Sequence, residues 1–332
     1  MSVHELYAEE LSIGVPLPTA PAITIDAGIT GQYQAVTGDA MRLPLSAPLS
    51  RQVTGMDRLV NPALVLQVAI GQSTVATRRV IANLFYRNVR ILRQVPLGTT
   101  LETTVIPKAA KLARPGAGGE RAKVLLGMTT RDEFANVIAD FERLALIPVR
   151  DREAVAETGE TGTAEDTLDL APYTRLLPRG WNLDGLRQGV LPKPGTPIVD
   201  PLTEPITEAQ QLVRLTQNLA AAHRDARRGQ QGQRLVYGGH TVGLAQASLT
   251  RVDPSIVTVL GWHSCDHLAP IYENDLLSFT TTLLETVAQR QGSVAAYRIE
   301  ASAVRPGADP VTVLSWTPVV WTASGTTTEG QS

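Results

Sequence analysis

The tripeptide Arg58-Leu59-Val60 returns as Arg234-Leu235-Val236, 176 residues further on, and the flanking pattern returns with it. After each copy comes a short apolar, helix-like run, NPALVLQVAIGQST and then YGGHTVGLAQASL. A strand-like stretch follows, NLFYRNVRILRQVPLGTTLETTV and then LGWHSCDHLAPIYENDLLSFTTTL, with Gly98 falling on Asn274 without a gap. Tripeptide, helix, strand and turn held in one register read as a duplication. Such a chain is constrained to fold as two copies of one unit. Their matching strands can pair edge to edge and cover edges that would otherwise invite aggregation.

Each copy has the same coarse order. A helix begins near Asp26 in the first and near Thr207 in the second, where Thr207 and Gln210 have capping-box spacing. An irregular Pro/Arg/Gly-rich segment follows, then the buried helix. Strands are expected over 100–111, 121–131 and 136–149, and again over 276–288, 293–304 and 311–321. PGAGG (115–119) and QRQG (289–292) read as hairpin turns. PGAGGE lacks the GK[ST] ending of a phosphate-binding loop and sits between strands, so it stays a hairpin. One helix followed by a meander of long antiparallel strands defines an α+β class. The units are placed at 1–150 and 171–322. The acidic stretch 151–170 reads as a flexible, solvated linker and the polar tail 323–332 as disordered.

Composition excludes several functions. Lys+Arg 30 against Asp+Glu 32 gives a net charge of −2, with no basic block interleaved with aromatics, so nucleic acid is not an expected partner. Cys265 stands alone, which rules out an internal disulfide framework and fits a reducing compartment. MSVHELYAEELSIG is acidic where a signal peptide is basic, and no apolar run approaches the ~18 residues of a membrane span, so a cytoplasmic protein is expected. HSCDH (263–267) superficially resembles a metal cluster. On a regular strand His263 and His267 share a face with Asp266 opposite, and the two rings stand ~13 Å apart, so no metal is expected there. Tyr33 and Trp262 read as core residues; Asp225, Arg227 and Arg228 read as solvated charges.

The chemistry concentrates in NLAAAHRDARRGQQGQRLVYGGH, residues 218–240. His223 can exchange protons near neutral pH. Asn218, five residues earlier, can donate and accept hydrogen bonds but cannot remove a proton. Gly239, at the expected start of the second buried helix, offers a backbone N–H where the helix dipole favours negative charge. His240 is open to two readings, a second proton carrier or a packed helix residue.

This segment resembles the catalytic segment of the MaoC-like, (R)-specific enoyl-CoA hydratases in their double hot-dog form. The wording of RLVYGGH followed by GLA, and of CDHLAPIYENDLL, is most similar to the mesaconyl-CoA hydratase (β-methylmalyl-CoA dehydratase) branch. The resemblance implies two units, each a long helix wrapped by an antiparallel sheet, with the sheets joined edge to edge. It also implies an Asp followed five residues later by His; here Asn218 stands in the place of the Asp. His223, Asn218, Gly239 and His240 are thereby candidate catalytic residues, and Arg234, His267 and Asp39 candidate substrate-side residues, Arg234 as a clamp either on its own segment or on a carboxylate-bearing acyl group. In the first copy YQAVTGDAMRLPLS keeps Gly38-Asp39 but holds Leu43, Pro44 and Leu45 where a histidine is needed, so one active site per chain is implied. The first copy would then shape an acyl-CoA tunnel.

The implied function is interconversion of a 2-enoyl-CoA, branched and dicarboxylic acyl groups included, with a 3-hydroxyacyl-CoA. The CoA thioester is substrate and no cofactor is needed. Arg87, Arg90 and Arg93, or Lys108 and Lys111, are candidates for the CoA phosphates. A monomer and a homodimer both fit, because the pairing that single units obtain by dimerising is internal here. Two alternatives remain at this level: a non-catalytic acyl-CoA-binding protein with a decayed site, and a thioesterase on the same fold.

Overall fold

The computed structural model describes residues 6–116, 119–162, 167–186, 191–230 and 232–324. Its strands are β1 (Ile23–Thr24), β2 (Ala82–Ile91), β3 (Thr100–Gly116), β4 (Gly119–Asp132), β5 (Val137–Pro148), β6 (Pro197–Val199), β7 (Glu204–Pro205), β8 (Ile256–His267), β9 (Leu276–Ala288), β10 (Ser293–Val304) and β11 (Val311–Thr322). The helices are α1 (Ala27–Thr37), α2 (Arg42–Leu45), α3 (Ala47–Thr54), α4 (Pro62–Gln72), α5 (Ala171–Thr174), α6 (Ala209–Leu215) and α7 (Gly238–Val252).

All strands join one antiparallel sheet in the order β1-β3-β4-β5-β2-β8-β11-β10-β9-β6, with β7 also on β9. The halves meet at β2 and β8, where Tyr86 lies opposite Cys265 and Val89 opposite Trp262. Offset by the repeat length, Trp262 is the counterpart of Tyr86 and Cys265 of Val89, so the seam pairs the same two positions both ways. That reciprocity is what a two-fold relation between copies requires.

The 176-residue register extends to the backbone bonds. Val60 donates to the carbonyl of Val95 and Val236 to that of Ile271; the donors Gly98 and Asn274 keep the same spacing, while their acceptors, Ile25 and Ile206, lie five residues further apart. Gly98 and Asn274 both take positive φ, 93° and 72°, at the matching turn. Asn is one of the few residues besides Gly that enters that region at low cost.

Helix α4, PALVLQVAIGQ, carries no charge and is buried along its whole length. Asn61 caps it by accepting from the Ala63 N–H at 2.9 Å, with Pro62 in the first turn where its missing N–H costs nothing. Helix α7 is buried from Gly239 to Thr250. Gly71 in α4 is required by contact: a Cβ there would lie 1.8 Å from the Thr216 carbonyl oxygen. The end of α6 therefore crosses α4 at backbone distance, which places the segment following α6 against the first half.

Three expectations are corrected here. The linker is not free along 151–162: Thr158 and Ala110 exchange backbone hydrogen bonds, Glu160 pairs with Lys111, and Val155 is buried. The exposed edge of β3 supplies the partners that its composition did not reveal. Thr207 does not cap α6, which starts after Glu208 without a side-chain cap; the Thr207 hydroxyl bonds the Glu208 carboxylate instead. Ala323 and Ser324 are buried, Ala323 donating to the Ser255 carbonyl, and the rest of the expected tail lies outside the described residues. No helix among the described residues is long and apolar enough to cross a membrane.

Candidate active site

The segment after α6 is built by a chain reversal at Gln217, which adopts φ 56°. Gly38 does the same after α1, with φ 60°. The next residues, Asn218 and Asp39, are thus counterparts, and each turns back on its own chain: Asn218 Oδ1 accepts from the Ala220 N–H at 2.9 Å and Asp39 Oδ1 from the Met41 N–H at 3.0 Å. Because Ala220 N–H can only donate, the oxygen of Asn218 must face it. The NH₂ group is the end of Asn218 left for a ligand.

Several bonds then fix His223. Leu219 N–H donates to Thr74 Oγ1 of the first half at 2.7 Å, and Ala221 N–H to the Arg78 carbonyl at 2.9 Å. Arg224 Nε and Nη2 hold the Asn218 carbonyl at 2.9 and 2.6 Å, and Gln210 Nε2 holds the His223 carbonyl at 2.5 Å. His223 Nδ1 lies 2.9 Å from the Leu235 carbonyl, so Nδ1 carries the proton and Nε2 keeps a free lone pair. The ring leans on Tyr237 with centroids 5.7 Å apart. Burial pushes the His223 pKa down to about 4, with the positive charges of Arg143 and Arg224 acting in the same direction. The imidazole is neutral at physiological pH.

A cavity of about 240 Å³ is lined by His223, Asn218, His267, Gly238 and Thr241 on the second-half side, and by Tyr86, Asn83 and Arg143 on the first-half side. Helix α7 presents its N-terminus here with no capping side chain on Tyr237. A larger groove of about 640 Å³ lies around Asn88 and His263, but its charges are spent on the pairs Arg90–Asp140 and Lys108–Glu142. No residue of the 218–240 segment lines it, and the smaller cavity is the candidate site.

The expected residues divide as follows. His223, Asn218 and His267 come together at the cavity. The glycine on its wall is Gly238, one residue earlier than Gly239; a Cβ on Gly238 would meet the His267 ring at 2.4 Å, while one on Gly239 would meet the Tyr237 ring at 2.5 Å. His240 is sealed at 1% exposure, with Nδ1 unpartnered, and does not line the cavity. Arg234 is also outside it, paired with Glu273 at 2.5 Å, so it clamps the loop.

Asp39 is fully buried between the two central helices. Its Oδ2 accepts from Asn61 Nδ2 at 2.7 Å and Gln246 Nε2 at 2.6 Å, and its Oδ1 also accepts from Thr250 Oγ1 at 2.8 Å. It ties α4 to α7 and reaches no ligand space. His263 and His267 do not share a face: β8 skips His263 in its pairing with both β2 and β11, and the irregularity turns His263 to the outer groove. Arg87, Arg90, Lys108 and Lys111 are all engaged, with Asp266, Asp140, Glu142 and Glu160.

Sequence reasoning missed Arg143. It occupies an inward position of β5, in register with Phe141 and Ala145, and is 4% exposed. The signal was present in DFERLALIP: a charge where strand alternation demands an apolar residue.

The fold and site together define a double hot-dog protein with the His223–Asn218 cavity at the seam between its halves. No family model matches the chain. A conserved hypothetical protein of Mycobacterium tuberculosis with a double hot-dog fold is 33% identical, the match covering 95% of this chain and 98% of that one with a TM-score of 0.81. A MaoC domain protein dehydratase from Chloroflexus aurantiacus superposes with a TM-score of 0.84 at 24% identity, over 96% and 97% of the two chains. Among curated proteins, the β-methylmalyl-CoA dehydratase of Chloroflexus aurantiacus is 26% identical over 85% of this chain and 83% of its own. The mesaconyl-CoA hydratase of Cereibacter sphaeroides is 24% identical over 92% and 90%. The chain belongs to the same family as the double hot-dog protein of Mycobacterium tuberculosis, and its fold is also that of the MaoC domain protein.

Proposed function

We propose that the protein is a hydratase/dehydratase that interconverts a 2-enoyl-CoA and a 3-hydroxyacyl-CoA. The observation that carries this reading is the neutral His223, anchored through Nδ1–H with Nε2 free, in one cavity with Asn218 and the uncapped start of α7. In hydration, Nε2 removes a proton from water as the water oxygen bonds to Cβ, and the C=C electron pair moves towards the thioester carbonyl. The negative charge on that oxygen is met by the first-turn N–H of α7 at Gly238, which has no intrahelical acceptor. The imidazolium returns its proton to Cα. The Asn218 NH₂ donates to the water oxygen and orients it. One imidazole serves both transfers, so no second carboxylate is required, and the chemistry draws on no cofactor. The names of the curated relatives support this reaction class; a reducing cytoplasm is the setting it implies.

The acidic limb of kcat/KM for hydration is expected near pH 4, not near 6.5, because burial holds His223 neutral down to about 4. A limb near 6.5 would mean that His223 is solvated or is not the base. Stability has the opposite onset. His223, His240 and His267 are each depressed from 6.5 to about 4, so the unfolded chain binds protons first. Stability from these groups is complete above 6.5 and is lost as pH falls towards 4. Asn218→Asp places a carboxylate in the cavity with His223, favours the imidazolium, and should move the acidic limb of the rate profile towards neutrality. An unmoved limb in an active variant would place residue 218 away from the proton-transfer path.

A further inference from the structure

Arg143 enters the cavity from β5 of the first half, the half that has lost its own histidine. The residue is 4% exposed, yet no carboxylate among the described residues pairs with it. Its partners are neutral: Nη2 donates to Thr77 Oγ1 at 2.8 Å, the Tyr86 hydroxyl lies beside it, and Nε has no partner. Burial raises the Tyr86 hydroxyl to about 12, so no tyrosinate balances the charge. Asn83 lines the same wall with both its side-chain oxygen and its nitrogen buried and unpartnered. At the matching position of the second half, the cross-strand pair Tyr86/Arg143 is replaced by Trp262/Pro318, both apolar. The polar wall is a property of the one cavity that also holds His223.

An uncompensated buried cation is unfavourable without a ligand. The planar fork of a guanidinium matches a carboxylate, and a cavity of about 240 Å³ beside His223 has room for a short acyl group rather than a nucleotide. We propose that Arg143, with Asn83 as second donor, is the specificity-determining residue of this cavity and receives a carboxylate at the far end of a short acyl chain. This rests on the acyl-CoA reading above and deepens it by naming the residue that selects the acyl group.

Calorimetry with succinyl-CoA and butyryl-CoA tests the assignment apart from turnover, since both acyl chains are saturated and cannot be hydrated. The wild-type chain should bind succinyl-CoA tighter by about 30-fold or more, the scale of one buried charge pair. Arg143→Met should bring that ratio close to one. Arg143→Lys keeps the charge but loses the fork, and should retain an intermediate ratio even if the methionine variant folds poorly. A wild-type ratio near one, or a ratio that Arg143→Met leaves intact, overturns the proposal. The ratio is the readout because effects on CoA binding or on His223 common to both esters cancel. A chain with this selectivity that hydrates no enoyl-CoA keeps the carboxylate site and loses the hydratase reading. One that hydrates crotonyl-CoA without the selectivity does the reverse.

Discussion

His223→Ala is expected to lower kcat/KM for enoyl-CoA hydration by about 10²–10⁴-fold, the usual contribution of a general acid–base group, while the fold survives. The segment is held by its backbone: the His223 N–H bonds the Ala220 carbonyl, Gln210 holds the His223 carbonyl, and Arg224 holds that of Asn218. Truncating the ring removes one hydrogen bond, to the Leu235 carbonyl, and the contact with Tyr237. A bond of that kind is worth about 1 kcal/mol. The upper part of the rate range is expected because one imidazole carries both proton transfers, with no carboxylate to take over either. Steady-state kinetics beside a melting curve checks this. Loss of activity in step with loss of folded protein would assign His223 a structural role.

Asp39→Ala should act the other way, destabilising the chain by about 2–5 kcal/mol, the cost of leaving buried donors without acceptors at about 1–3 kcal/mol each. Met41 N–H and Asn61 Nδ2 lose these acceptors, whereas Thr250 and Gln246 can fall back on the Ala247 carbonyl and on Asn61 Oδ1. The melting temperature should fall by on the order of 10 °C. Asp39→Asn should also be costly: with Oδ1 held by Met41 and Thr250, its NH₂ would face the donors Asn61 Nδ2 and Gln246 Nε2. An amide is therefore excluded at 39 and accommodated at its counterpart 218, where the free end of the side chain faces a cavity. A melting temperature unchanged in both variants would show that the helices are tied by packing alone.

The duplication was legible because backbone turns constrain sequence. Gly98 and Asn274 both need positive φ, and Asn61-Pro62 and Tyr237-Gly238 both open a buried helix, so the register survived where side chains diverged. The His223 and Asn218 pair was legible for the same reason, being carried by one local turn. Residues whose roles depend on distant contacts were not. Asp39 looks like a remnant of catalysis until Gln246 and Thr250, more than 200 positions away, are brought against it. Arg234 reads equally as a clamp on its loop or on a substrate carboxylate until Glu273 is placed beside it, and the linker looks solvated until the edge of β3 appears. Arg143 sits between these cases: its inward register could be read from the strand, but not the cavity it opens onto.

The most direct test of the account follows enoyl-thioester absorbance and free thiol together after purified protein is added to crotonyl-CoA and to mesaconyl-CoA. For a hydratase acting through His223, absorbance falls to a plateau with at least one of these esters, no thiol appears, and His223→Ala slows the approach by at least about 100-fold. Unchanged absorbance with both esters would contradict it, as would thiol release matching the loss, or a decay that His223→Ala leaves untouched.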